Sequence, residues 1–288
     1  MTTTRPAIDL AGKVAIVTGA GRRRGIGRDI ALGLAAAGAD IVVTGTGRDP
    51  STLPDDERAV GWRDIDSVAD EIRTLGRHAL AVVCDATSAD KVDQMVTRTV
   101  DELGRVDFLV NNAASAAGPD RVPVSEMPED AWRRVIDVKL TGAFLASRAV
   151  AGHLLRQNEG GSIVNVSSIS ARWQPAAQAA YTAANLGLES LSATMAKELG
   201  PHGITCNTVV PGFFPTSRAD YMRETDAWDI AVNLIAVRRP GSAEDLAGVV
   251  TFLCSSHGAF ITGQSINVCG GQEWHPREFA RLRGNLES

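Results

Sequence analysis

Ser168 lies thirteen positions before Tyr181 in the stretch "NVSSISARWQPAAQAAYTAAN". A tyrosine hydroxyl can give a proton to a carbonyl oxygen or take one from an alcohol, and a serine hydroxyl can hold the same oxygen. A free tyrosine releases its proton only near pH 10, so such a pair benefits from a nearby cation. The position one helical turn after the tyrosine shares its helix face. That position is Asn185, which carries no charge.

A second stretch with chemical content lies near the start of the chain. The apolar run "KVAIV" leads directly into "TGAGRRRGIGRDIALGLAAAG". Glycines allow a sharp turn and a close backbone approach to phosphate, and the helix that follows offers free amides and the positive end of its dipole. Gly19, Gly21, Gly25 and Gly27, with Arg23, Arg24 and Ile26 among them, are the residues expected around a dinucleotide pyrophosphate. An acid at the end of the second strand would accept hydrogen bonds from the adenosine 2′-hydroxyl and repel a 2′-phosphate. Gly45 stands there instead, followed by Thr46 and Arg48, and Arg22, Arg23 and Arg24 add guanidinium groups that suit a dianion. These residues predict NADP (NADPH) rather than NAD.

The elements that must position these groups are legible as an alternation. "KVAIVTG", "ADIVVTG", "HALAVVCD", "VDFLVNNA", "GSIVNVSS", "GITCNTVVPG" and "QSINVCGG" are continuous apolar segments, as strands covered on both faces require. Helical patterns over roughly 27–37, 65–75, 91–103, 129–156, 181–199 and 243–255 separate them. Strand–helix alternation throughout predicts an α/β, single-domain, doubly wound (Rossmann) parallel sheet with helices on both faces, spanning 1–288. Three segments depart from the rhythm: a polar insertion at 47–64, a long loop at 215–242 expected to border the substrate, and an extension at 272–288.

Bulk properties narrow the classes further. With 288 residues, 44% apolar and 22% charged, the chain is an ordinary globular one. A net charge of −5 gives no reason to expect nucleic acid or an anionic membrane as partner. No apolar run reaches the roughly 20 residues of a membrane helix, and "MTTTRPAIDLAGK" lacks the apolar core of a signal peptide, so a cytoplasmic location is expected. Cys84, Cys206, Cys254 and Cys269 are far apart, which predicts buried free thiols, and no metal site is expected.

Order and spacing of these motifs resemble the classical short-chain dehydrogenase/reductase family over nearly the whole chain. Thr18, Gly19, Gly25 and Gly27 match its T-G-x-x-x-G-x-G, with five residues rather than three between Gly19 and Gly25. The resemblance implies that a basic residue before the second glycine accompanies NADP, that Asp85 and Ala86 border the adenine, and that "NNAA", with Asn112 and Ala113, steadies the sheet beside the cofactor. It also implies that Pro211, Gly212, Phe213 and Thr216 of "PGFFPT" hold the nicotinamide carboxamide. Ser168 and Tyr181 match the family's catalytic serine and tyrosine. The family places lysine where Asn185 stands, and an asparagine where "VIDVKLTGAF" has Lys139, so by this resemblance the two have changed places. The expectation is that Lys139 supplies the displaced cation while Asn185 contacts the ribose.

The implied activity is interconversion of a ketone and a secondary alcohol. Trp173, Phe213, Phe214, Tyr221, Met222 and Trp228 suggest an apolar, cyclic or aromatic substrate. A non-redox lyase or isomerase, and a catalytically silent NADP-binding subunit, are the alternatives left by the altered pair. Helices at about 129–156 and 181–199 carry small residues that permit close packing, and the resemblance implies a homotetramer.

Overall fold

The computed structural model describes residues 8–116, 118–223 and 225–272. Seven strands, β1 (Val14–Val17), β2 (Asp40–Gly45), β3 (Ala79–Val83), β4 (Phe108–Asn111), β5 (Gly161–Val166), β6 (Ile204–Pro211) and β7 (Ser265–Val268), form one sheet in the order β3-β2-β1-β4-β5-β6-β7. Every neighbouring pair is parallel. The order reverses between β1 and β4, which opens a crevice beyond their carboxyl ends.

The helices are α1 (Ile26–Ala36), α2 (Asp55–Arg58), α3 (Ile65–Thr74), α4 (Ala89–Leu103), α5 (Glu129–Ile136), α6 (Gly142–Gln157), α7 (Ser170–Trp173), α8 (Ala179–Leu199), α9 (Ala227–Asn233) and α10 (Ala243–Leu253). On one face of the sheet, Ile30 and Leu34 of α1, Val68 and Ile72 of α3, and Val250 of α10 meet the strands. On the other, Val92 and Met95 of α4, Val150 and Leu154 of α6, and Met195 and Leu199 of α8 do so. Burying each of these side chains favours the fold by about 1.5–3 kcal/mol. Gly33 lets α1 and α10 approach closely, since a Cβ there would lie 2.6 Å from Ala247 Cβ. All four cysteines are buried free thiols, as expected.

The helix expected over 129–156 is one rod with a wider turn inside it. Asp137–Thr141 form a π-helical turn between α5 and α6, and Lys139 sits at its centre. The insertion at 47–64 is compact: Pro50–Thr52 form a 3₁₀ turn and α2 follows it. The segment 215–242 likewise contains a 3₁₀ turn at Ser217–Met222 and the helix α9. Residues 273–288 of the expected extension lie outside the described residues; Gln272 is buried and accepts from the Phe213 amide at 2.7 Å. Among the described residues no helix is long and apolar enough to cross a membrane.

Candidate active site

The crevice beyond β1, β4 and β5 has two halves that share Tyr181 and Arg218. One half, roughly 370 Å³, is lined by the glycine loop, Asn112, Lys139, Ser167, Tyr181 and Thr216. The other, roughly 490 Å³, is lined by Arg121, Ser168, Ser170, Gln178, Tyr181 and Arg218. Both are of small-molecule size.

The first half fits a dinucleotide. Gly19 has φ +67°, and a Cβ there would lie 2.7 Å from Ala113 Cα. A Cβ on Gly27 would lie 2.4 Å from Asn112 Nδ2. Asn112 in turn donates to the carbonyls of Thr18 and Gly19 at 2.9 Å each, and Thr18 Oγ1 accepts from the Asn112 and Ala113 amides. α1 opens at Gly25 with no side-chain cap, so its first amides face the groove as an anion site. Gly19, Arg24, Gly25, Ile26, Gly27, Asn112 and Thr216 are thus brought together as expected, with Arg22 beside them.

The arginines are disposed differently from the sequence reading. Arg24 donates through Nε to Asp56 at 3.0 Å and grips Asp220 with both terminal nitrogens at 2.6 Å. Arg48 pairs with Glu57 and Asp64, and also donates to the Gly21 carbonyl. Glu57 accepts the Arg23 amide at 2.8 Å, and Trp62 Nε1 donates to the Gly21 carbonyl at 2.7 Å. The polar insertion therefore folds onto the phosphate loop and neutralises two guanidiniums assigned above to a 2′-phosphate. Asp64 is buried, has φ 54°, and brings a carboxylate against Gly21 and Gly45. A non-glycine residue held there is strained, and its surroundings must enforce it. Arg22 has no ion-pair partner among the described residues; burial, then the Arg48 charge, hold its guanidinium below the usual range.

Other expected contacts lie elsewhere. Thr46 and Asp85 border a separate depression beyond β2 and β3, where Asp85 is held by Thr87. Ala86 packs against Gly142. Pro211 and Gly212 are packed toward Cys269, and Phe213 pairs edge-on with Trp228 at 4.9 Å.

The catalytic candidates converge from three elements. Ser168 follows β5, and its Oγ accepts the Ser170 amide at 3.2 Å, which leaves its proton to donate. Tyr181 opens α8 and packs against Val135, Ile136 and Leu140 around the π turn. Arg121 stacks its guanidinium over the Tyr181 ring, 4.7 Å from the centroid. Between Ser168 and Tyr181, Gln174 and Ala177 have φ 48° and 59°, a second strained stretch at the cleft.

Lys139 is 4% exposed, lines the cofactor half of the cleft, and donates to the Val166 carbonyl at 2.6 Å. Burial, then the Arg218 charge, lower its pKa to about 7. Asn185 does not line the cleft: it is fully buried, its Nδ2 donates to the Tyr181 carbonyl at 2.8 Å, and its Oδ1 has no partner among the described residues. The expected ribose contact from Asn185 is therefore corrected. Its amide is turned back onto its own helix, where it bonds the tyrosine's carbonyl one turn earlier.

The expected aromatic wall is also corrected. Trp173 packs with Ile169, Val210 and Cys269, Phe214 lies in the core against Gly241, and Phe213 and Trp228 pair with each other. The side chain of Tyr221 lies outside the described residues. Polar and cationic groups face Tyr181 instead. Arg121 and Arg218 had no sequence signal beyond a turn and the long loop.

Comparison with known proteins agrees with this fold. Residues 19–273 match the family described as "Enoyl-(Acyl carrier protein) reductase". A 3-oxoacyl-[acyl-carrier-protein] reductase of Synechocystis sp. is 37% identical over 263 residues, 91% of this chain and 97% of that protein. An L-rhamnose 1-dehydrogenase (NAD(P)(+)) of Azotobacter vinelandii is 35% identical over the same shares of both chains. A carveol dehydrogenase from Mycobacterium avium, solved with NAD, superposes with a TM-score of 0.80 at 29% identity, covering 92% of this chain and 99% of that one. With a seven-stranded doubly wound sheet, a match over residues 19–273 and relatives above 30% identity across nine-tenths of the chain, the chain is an oxidoreductase of the classical short-chain dehydrogenase/reductase family.

Proposed function

We propose that the protein interconverts a ketone and a secondary alcohol with NADP(H): ketone, NADPH and a proton give alcohol and NADP⁺, or the reverse. When bound, the nicotinamide supplies or takes the hydride. Ser168 holds the carbonyl oxygen, and Tyr181 gives that oxygen a proton in reduction or removes one in oxidation. Lys139 provides the cation that favours proton transfer from the tyrosine. Asn185 positions Tyr181 by bonding its carbonyl. The observation that carries this reading is that Lys139 and Tyr181 line one cleft with the glycine loop, and no carboxylate among the described residues lines it.

Support for NADP rests on Gly45 in place of an acid, and on Arg22 and Arg23, which remain outside the ion pairs that engage Arg24 and Arg48. The buried Asp64 carboxylate beside Gly45 favours a second reading, NAD, through a hydrogen bond from the 2′-hydroxyl. Isothermal titration of both cofactors decides: tighter NADP keeps the first reading, and tighter NAD replaces it.

Turnover is tested by NADPH absorbance with a panel of ketones. Cofactor binding without oxidation across the panel would favour the silent-subunit alternative, and product formed without nicotinamide would favour the lyase. We also propose a cytosolic homotetramer through α5–α6 and α8, where Trp132, Phe144 and Leu155 are exposed. Light scattering that returns a monomer mass would overturn it.

A further inference from the structure

We propose that the substrate is an oxo acid or hydroxy acid, whose carboxylate is held by Arg121 and Arg218 in the Ser168 half of the cleft. The inference rests on the oxidoreductase reading above and names the substrate class of that site.

Four observations support it. First, the two arginines lie on the same half of the cleft as Ser168 and Tyr181, and among the described residues no carboxylate lines that half. Second, Arg121 is incompletely partnered. Its Nε lies 3.4 Å from Asp120, while its Nη1 is buried and has no hydrogen-bond partner among the described residues. A buried guanidinium nitrogen without a partner carries a desolvation cost that an acceptor would remove. Third, Arg218 donates to the Ser115 carbonyl, which holds it across the mouth of the cleft. It has no carboxylate partner among the described residues. Fourth, the cofactor's phosphates do not account for Arg121. The glycine loop and the start of α1 line the other half, which Arg121 does not border.

Arginine suits this role because its planar fork matches a carboxylate, and because it stacks on an aromatic ring while it binds. Arg121 does stack on Tyr181, so a carboxylate it holds is placed beside the proton-transferring ring. That places the carboxylate within a few carbons of the reacting carbon. Binding through a charge also orients the substrate before proton transfer.

The test pairs 2-, 3- and 4-oxo acids of matched carbon skeleton with their methyl esters. kcat/KM is measured by NADPH oxidation for the parent, Arg121→Met, Arg121→Lys, Arg218→Met and Arg218→Lys. The expected parent preference is acid over ester by at least about tenfold for one chain length. Each Met variant should lower that ratio by about tenfold to a hundredfold, chiefly through KM, the range of a charge-assisted hydrogen bond. The Lys variants should recover part of it.

The same acids are titrated into protein saturated with oxidised cofactor, where binding is read without turnover. Acids that bind more tightly than esters, and lose that advantage in Arg218→Met, support the inference even if no ketone is reduced. Equal affinities for acid and ester, or a ratio unchanged in both Met variants, overturn it. Those results would leave the oxidoreductase reading intact if neutral ketones still oxidise NADPH. Because Arg218 is exposed, its variants fold whether or not Arg121→Met does.

Discussion

The ammonium of Lys139 donates to the carbonyl of Val166, the last residue of β5, at 2.6 Å. That bond ties the centre of the π turn to the strand that leads into Ser168. It places a positive charge under the cleft from a helix other than the one bearing Tyr181.

Exchange of the two residues is therefore testable as a pair. Lys139→Asn should cut turnover by about a hundredfold to ten-thousandfold, the range of one acid/base contribution. Asn185→Lys alone should also lose activity, because it adds a second buried cation near the first. Combining the two restores one lysine and one asparagine, and should retain far more activity than the product of the single losses. Steady-state kinetics on the three variants checks this; a Lys139→Asn variant as active as the parent removes Lys139 from the mechanism.

The pH dependence follows from the same burial. With its pKa lowered to about 7 by burial and by Arg218, Lys139 is charged below pH 7 and loses its charge above it. Turnover that needs the cation should fall as pH rises through about 7, and this limb should be absent from Lys139→Met. The stability sign is opposite. Between pH 7 and the ordinary value of 10.5 the unfolded chain holds this proton and the folded one does not, so stability linked to Lys139 rises with pH over that window. Urea unfolding of parent and Lys139→Met at pH 6, 7, 8 and 9 should show the difference moving in the parent's favour as pH rises.

At the opposite end of the sheet, Asp107 is a stability element. Its carboxylate accepts from Lys13 Nζ at 3.0 Å, the Val14 amide at 2.9 Å and Arg105 at 2.6 and 2.7 Å. Burial alone would raise its pKa, but Arg105, the Val14 amide and Lys13 together hold it below the usual range. Stability from a depressed carboxyl is present above its unfolded pKa near 4 and is lost as pH falls through its folded value. Asp107→Asn should cost about 2–4 kcal/mol at pH 7, and the gap should narrow below pH 4. A constant gap from pH 7 to pH 3 would contradict the charge argument.

Arg24 joins three segments: the phosphate loop, the insertion through Asp56, and the 3₁₀ turn at Ser217–Met222 through Asp220. The Ser217 amide also donates to the Arg24 carbonyl at 3.1 Å. Asp220→Asn should speed cofactor release by about two- to tenfold, since a bidentate but half-exposed pair contributes modestly. Stopped-flow fluorescence of bound NADPH reads this directly, and an unchanged release rate would mean the junction does not retain cofactor.

Alternation of strands and helices was legible because both faces of the sheet demand apolar runs, and Gly19, Gly27, Ser168 and Tyr181 were legible as residues that the fold gathers around one cleft. Arg24 and Arg48 were legible as cations but not as paired ones. Asp220 is 196 residues from Arg24, and no local pattern announces that contact. Arg121 was invisible for a similar reason: only the packing of Tyr181 places a ring beneath it. Asn185 was misread because position on the tyrosine's helix face does not reveal that the side chain is fully buried and bonded to the helix backbone.

The π turn also sets a phase. A five-residue turn takes one residue more than the α-helical turn it replaces, so α5 and α6 are offset by roughly 100° compared with an uninterrupted helix. Ala131 and Val135 before it, and Ala143, Ala146 and Val150 after it, all face inward under that offset. Removing one residue between Asp137 and Thr141 would regularise the rod at the cost of turning one of these two faces outward. The helix can thus tolerate a change of side chain at Lys139 far better than a change in its residue count.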